Sequence, residues 1–342
     1  MTEPIVCLGE CLVDRLFAVG TNPRNTHEKW TDYPGGAPAN VATAIAKLGT
    51  PTCMVSGLGK DDLGDWLVQV VEKSGVRCQI QRVAPAPTRI VLVERDETGD
   101  RRFVGFSDPD PSAFADADLT SDWIDGIDFI GVDYLVMGTL GLAYPTTASA
   151  MKRARDKARQ AGAKIVIDLN WRPVFWPEKD MAASIIRPFL AAADLLKFSR
   201  EEALWLLHTD SATEICQQFS RCQVVLLTDG GNGSTCATQH HSVSLPAFNV
   251  DSIDTTGAGD AFLAGFLHQL CQQGWDCLQA ADKIEEILRY ASAVGALTTI
   301  KPGAIAAQPI PQEVNAFLQH HGIAPMYPTH VMEAVEEFEP QG

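Results

Sequence analysis

The residue types between Asp254 and Asp260 suit phosphoryl chemistry. The run Asp254-Thr255-Thr256-Gly257-Ala258-Gly259-Asp260 reads as a tight glycine turn. It feeds an amphipathic helix with Phe262, Phe266 and Leu270 among its apolar positions and Gly274 as its stop. Gly257 and Gly259 let main-chain N–H groups converge with no Cβ in the way, and a helix N-terminus adds roughly half a positive charge. Gly257, Ala258 and Gly259 thus offer an anion hole for charge developing on a phosphoryl group. Asp260 is the oddity, because a carboxylate beside such a site repels a bound anion. It fits a general base that takes a proton from a hydroxyl attacking phosphorus. The alternative is an N-cap carboxylate, which would stabilise the helix by ~1 kcal/mol.

Other glycine patterns fit less well. The sequence has no GxxxxGK[ST] run, so it is not a Walker-type NTPase. Gly257-Ala258-Gly259 lacks the third glycine of a dinucleotide fingerprint and follows a polar turn late in the chain, which argues against a nicotinamide-dependent dehydrogenase. Gly57-Leu58-Gly59 fails the same spacing.

The elements that must hold this turn alternate. A short buried strand over 5–10 is broken by Gly9, and Pro34 to Asn40 lead into a helix that stops at Gly49, with Pro38 suited to its first turn. Val41, Ile45 and Leu48 give that helix one apolar stripe. A strand over 52–58, a helix over 63–73 and a hairpin over 88–106 with its turn at 96–100 follow. Residues 107–118 are polar and end the hairpin. Beyond them, strands over 134–137, 164–167, 195–198 and 224–227 alternate with helices over 145–160, 181–192 and 201–208. That order indicates an α/β fold, a mostly parallel central sheet flanked by helices on both faces. Segments of about 12–34 and 88–110 form a small β-sheet lid inserted into the main domain. The basic row Lys152, Arg153, Arg155, Lys157 and Arg159 reads as a solvated helix face.

Composition excludes several classes. The 342 residues carry 27 basic against 43 acidic side chains, a formal net charge of −16, which repels nucleic-acid backbones and anionic lipid surfaces alike. A small anionic ligand must therefore be held by local donors. No apolar run approaches the ~20 residues of a membrane span. Met1-Thr2-Glu3-Pro4 has no basic n-region, so no signal peptide is expected. The nine cysteines are odd in number, scattered and without a CxxC pair, which suits free thiols in the cytoplasm.

Two stretches together carry a family resemblance. Gly35-Gly36-Ala37-Pro38-Ala39-Asn40-Val41-Ala42 and Asp254 to Asp260 resemble the two signatures of ribokinase-like (PfkB-type) carbohydrate kinases, and the agreement runs in order from Gly9 to about Ala304. Within the family, the Gly-Gly-Ala-Pro-Ala-Asn run, Asp168-Leu169-Asn170-Trp171-Arg172-Pro173 with Phe175-Trp176, and Ala296-Leu297-Thr298-Thr299 look most like fructokinases.

The resemblance implies a ribokinase-like kinase domain over 1–324, with 325–342 as an acidic tail. It implies ATP with Mg²⁺, a small-molecule sugar, and transfer of the terminal phosphoryl group to a primary hydroxyl, the 6-hydroxyl of fructose. Asp260 would be the base and Gly257 to Asp260 the anion hole. Asp14, Gly35, Gly36, Asn40 and Arg172 would face the sugar or the transferred phosphate. Thr228, Gly230 and Gly233 match the nucleotide-binding turn. Read without the family, that turn is a plain strand-to-turn connection. Ser199 and Glu202 fall where the family shows Asn-x-x-Glu; Glu202 would organise magnesium through water, while Ser199 replaces the Asn. Asp254 and Thr256 match positions that hold a monovalent cation, such as K⁺, in some relatives, with Lys301 to Ala304 as the second half of that site.

Two departures lie near the sugar. The lid strand ends Gly105-Phe106-Ser107, where many fructokinases show an aromatic-aromatic-basic ending, and Leu169 replaces a common proline. Kinases of ribose, ketodeoxygluconate or a nucleoside are the alternatives within the class. A non-catalytic sugar- or nucleotide-binding protein is the alternative outside it. An exposed lid face or edge suits a homodimer.

Overall fold

The computed structural model describes residues 3–18, 30–95 and 101–324. Strand β1 (Ile5–Leu8) is buried on both faces, as a short continuous apolar run predicts. Strands β2 (Leu12–Ala18) and β3 (Trp30–Gly35) leave it for a second sheet, and α1 (Ala37–Lys47) follows with Pro38 in its first turn. Then come β4 (Thr52–Gly59), α2 (Asp62–Lys73), β5 (Val76–Val83), β6 (Ile90–Arg95) and β7 (Arg101–Phe106). The alternating half holds α3 (Ser121–Asp125), β8 (Tyr134–Met137), α4 (Pro145–Gln160), β9 (Lys164–Asp168), α5 (Ala182–Leu190), β10 (Leu195–Ser199), α6 (Arg200–Leu207), α7 (Ala212–Gln218) and β11 (Val224–Thr228). After β12 (Ser234–Thr238) and β13 (Ser242–Leu245), the helices α8 (Ala258–Gln273), α9 (Ala281–Thr299), α10 (Ala304–Ala307) and α11 (Pro311–His320) complete the described chain.

The main sheet runs β13-β12-β11-β10-β9-β8-β1-β4-β5. It is parallel from β11 to β5, and β12 and β13 add antiparallel strands at one side. Side chains alternate across it, so each central strand feeds two cores. Leu8, Leu135, Ile165, Ile167, Leu196 and Phe198 join one core with Met151, Ala154 and Ile186 of α4 and α5. Cys7, Val136, Val166, Leu195 and Leu226 join the other with Ile45, Phe262 and Phe266 of α1 and α8. At roughly 1.5–3 kcal/mol per buried large apolar side chain, these two layers supply most of the driving force.

The second sheet is β3-β2-β6-β7, with β2 parallel to β6 and the outer pairs antiparallel. The turn expected at 96–100 and the tail from 325 lie outside the described residues. The expected strands form, and three run one polar residue further, to Asp168, Ser199 and Thr228. Sequence reading missed β5, β12 and β13. It also missed that the basic row of α4 is largely tied down. Lys157 donates to the main-chain oxygens of Ile124, Asp125 and Ile127, and Arg159 meets Asp194.

Candidate active site

The site forms where two helix N-termini converge on the carboxyl edge of the main sheet, the usual place for a ligand in such folds. Helix α8 starts at Gly257, whose φ of +77° favours glycine, and a Cβ there would lie 2.8 Å from the Cβ of Ala304. Asp260 stands in the first turn of α8, and no side-chain cap bond is made there, which removes the N-cap reading. Instead, Asn40 Nδ2 of α1 donates to Asp260 Oδ2 at 2.8 Å, across 220 residues of sequence. The Oδ1 atom of Asn40 is buried and without a hydrogen-bond partner, an unused acceptor at the same junction.

Four of the residues expected to face the sugar gather at the start of α1. Gly35 ends β3 opposite Leu12, and a Cβ on it would lie 2.4 Å from Asp14 Oδ2, so the Asp14 carboxylate rests against this backbone. Gly36 has φ +102°, and its main-chain oxygen accepts from Asn40 N at 2.8 Å, which begins the helix. Behind it, Glu10 Oε1 accepts from Ala37 N at 3.2 Å. The structure therefore brings Asp14, Gly35, Gly36 and Asn40 to one helix end and joins that end to Gly257, Ala258, Gly259 and Asp260 through a single side-chain bond.

Burial raises the pKa of Asp260, and the nearby charge of Glu202 acts in the same direction. Against them stand the Lys197 ammonium, the Asn40 hydrogen bond and the Arg172 guanidinium. Lys197 and Asp168 are register partners on β10 and β9, and their ion pair closes at 2.7 Å. Burial lifts Asp168 to about 6 against the pull of that ammonium. Glu10 is lifted further, to about 8, chiefly by burial and also by Asp116 and Asp260. At neutral pH Glu10 therefore holds its proton.

The other expected residues fall along the same edge. Ser199 and Thr228 are register partners at the ends of β10 and β11, and Gly230 and Gly233 flank the following turn. Ser199 caps α6 by accepting from Glu202 N, and Glu202 Oε2 accepts from Ser199 N, a capping box. Glu202 Oε1 accepts from Trp171 N at 2.6 Å. Glu202 is buried and is not a surface charge of α6. Its Oε1 thus fastens the backbone that leads to Arg172, which is itself exposed, while its Oε2 fastens the start of α6. Asp254 accepts from Thr256 N and Oγ1 and from Gly303 N, so the turn and the 301–304 segment do meet.

Sequence reading passed over Glu10, Lys197 and the buried Arg89–Asp116 pair, which closes at 2.7 Å with the guanidinium 4.5 Å from the Phe114 ring centroid. A signal existed for Lys197. A lysine inside Leu195-Leu196-Lys197-Phe198 interrupts a buried strand and demands a partner.

Comparison with known proteins agrees with this geometry. Residues 2–311 match the model of the pfkB family carbohydrate kinases. The chain is 33% identical over 319 residues to probable fructokinase-3 of Arabidopsis thaliana, covering 92% of this chain and 91% of that one. It is 31% identical to fructokinase-2 of Oryza sativa, covering 89% and 90%. Among solved structures, a Xylella fastidiosa fructokinase with bound ATP superposes with a TM-score of 0.84 at 32% identity, covering 93% of this chain and 98% of that one. A Vibrio cholerae fructokinase in its fructose-, ADP- and calcium-bound form superposes at 0.79 with 29% identity, covering 92% and 98%. With the parallel sheet, the separate small sheet and the glycine turn before Asp260 in place, the chain belongs to the pfkB family of carbohydrate kinases and has their ribokinase-like fold.

Proposed function

We propose that this chain is an ATP-dependent fructokinase that transfers the terminal phosphoryl group of ATP to the 6-hydroxyl of D-fructose. The observation that carries the mechanism is the Asn40–Asp260 bond at the mouth of α8. Fructose lies against Asp14, Gly36 and Asn40, with its 6-hydroxyl toward Asp260. Asn40 holds one carboxylate oxygen and leaves the other to accept the hydroxyl proton. As that proton moves to Asp260, the sugar oxygen bonds to phosphorus and the bond to the ADP oxygen breaks. The main-chain N–H groups of Gly257, Gly259 and Asp260 meet the charge on the transferring group, whereas that of Ala258, expected in the same role, already donates to the main-chain oxygen of Thr255 at 3.2 Å. Arg172 supports the same charge from the rim. ATP extends along the edge toward Ser199, Thr228, Gly230 and Gly233.

Magnesium, when bound, neutralises the phosphate oxygens. Among the described residues no group of three His, Cys, Asp or Glu side chains gathers for direct coordination, which suits a metal carried by the nucleotide's phosphates and water. Glu202 would act on it only through water, since its oxygens already hold backbone N–H groups. At Asp254 and Thr256 the N–H of Gly303 occupies the carboxylate that a monovalent cation would share. The small sheet serves as a lid that excludes water as competing acceptor, and its edge strands pair two copies into a homodimer. No helix among the described residues is long and apolar enough to cross a membrane. All nine cysteines are free thiols, which supports the cytoplasm as the place of action.

Coupled measurement of ADP release with fructose, ribose, ketodeoxygluconate and a nucleoside tests the substrate. Fructose is expected to give the highest kcat/KM. A higher value for another acceptor, or no acceptor-dependent release, overturns the assignment.

A further inference from the structure

Lys197 takes no part in the reaction as described, yet it sits beneath it. It lies inside β10 between Leu196 and Phe198, is 6% exposed, and makes its one side-chain hydrogen bond to Asp168. A Cβ added to Gly259 would fall 3.1 Å from Lys197 Nζ and 3.6 Å from its Cε, so the ammonium packs directly against the turn that forms the anion hole. The N-terminus of α8 is itself a positive pole, and on that ground alone a cation beside it is unfavourable.

A structural role for the pair does not explain the placement. The register of β9 on β10 is already set by the main-chain ladder through Leu195 and Leu196. A buried ion pair also gives no general stability advantage over apolar side chains of similar volume. Asp168 Oδ1 is moreover buried without a hydrogen-bond partner, so the pair is not fully satisfied. What the position does offer is a fixed positive charge near Asp260, buried from solvent and held in place by its pairing with Asp168.

We propose that Lys197 is a positioning residue for proton transfer: held under Gly259 by Asp168, its ammonium keeps the Asp260 carboxylate ionised, and so free to accept a proton, at neutral pH. The groups that bear on Asp260 come from every element around it. Glu202 of α6, Asp168 of β9 and Glu10 after β1 interact with it as further carboxyl groups, and burial also favours its protonated form. Opposing them are Lys197 of β10, Arg172 after β9, and the hydrogen bond from Asn40 of α1. Arg172 is exposed and its field is screened by solvent, which leaves Lys197 as the principal counter-charge.

The consequence for turnover rests on Asp260 being the base, but the first measurement does not need turnover. Carbon-13 NMR of Asp-Cγ-labelled protein, with the Asp260 signal assigned by its loss in Asp260→Asn, reads the titration midpoint directly. Lys197→Met is expected to raise that midpoint by ~1 pH unit or more, and Asp168→Asn, which leaves the ammonium uncompensated, to lower it. The acid limb of kcat/KM with fructose and magnesium–ATP should move the same way. In Lys197→Met the loss would approach tenfold on the acid side and recover as pH rises. Midpoints unmoved in both variants, or a loss in Lys197→Met that is equal at every pH, overturn the proposal. Should Lys197→Met fail to fold by circular dichroism, the direction of the Asp168→Asn shift decides alone. A parent protein inactive on fructose would sink the substrate reading while the NMR midpoints still judge this one.

Discussion

Glu10 and Asp260 are carboxyl groups at the same junction, and burial acts on both in the same direction. Asp260 has a cation and an amide to hold it ionised, whereas Glu10 has only main-chain N–H groups, its own and that of Ala37, and acidic neighbours in Asp116 and Asp260. The sign of the consequence follows. Between its ordinary value of 4.5 and about 8, folded Glu10 keeps a proton that the unfolded chain has lost, so stability falls as pH rises through that window. The limit is about 1.4 kcal/mol per pH unit. Gln at this position keeps the acceptor for Ala37 N and removes the titration. Urea unfolding of parent and Glu10→Gln at pH 5.5 and pH 8 should therefore show a gain for the variant that is larger at pH 8. An equal difference at both pH values would contradict a buried neutral Glu10.

At the scale of elements, the two helix starts were legible because their signals are local. Pro38 and Gly49 bracket α1, and the glycines before Asp260 announce α8, so the pieces of the site could be named before any fold was known. Their junction could not, because the Asn40–Asp260 bond joins α1 to α8 and only packing sets it. The capping box at Ser199 and Glu202 is a four-residue pattern readable from sequence, but the second Glu202 bond, to Trp171 N, comes from the loop after β9. Strand β5 escaped notice for a related reason. Its Arg77, Gln79, Gln81 and Arg82 are too polar for a core strand, and it is an edge strand whose place depends on β4. Likewise Asp116 looked like part of a polar exit from a hairpin until it met Arg89 inside an aromatic cage.

Across the whole molecule, the sheet delivers the ends of β9, β10 and β11 to one edge, while the small sheet stands apart with β3 and β7 as its open strands. Val104 on β7 is 48% exposed, an apolar side chain on an edge strand. Sedimentation velocity at tens of micromolar should show a dimer that Val104→Asp weakens; a monomeric parent would remove the homodimer from the account. In the proposed mechanism the fold brings one carboxylate to one anion hole, and Asp260→Asn tests that directly. Asparagine preserves the shape and can still accept from Asn40, but it cannot take a proton. The account predicts kcat lower by ~10²-fold or more, with calorimetric binding of fructose and nucleotide close to the parent's. Turnover within tenfold of the parent, with binding intact, would contradict it.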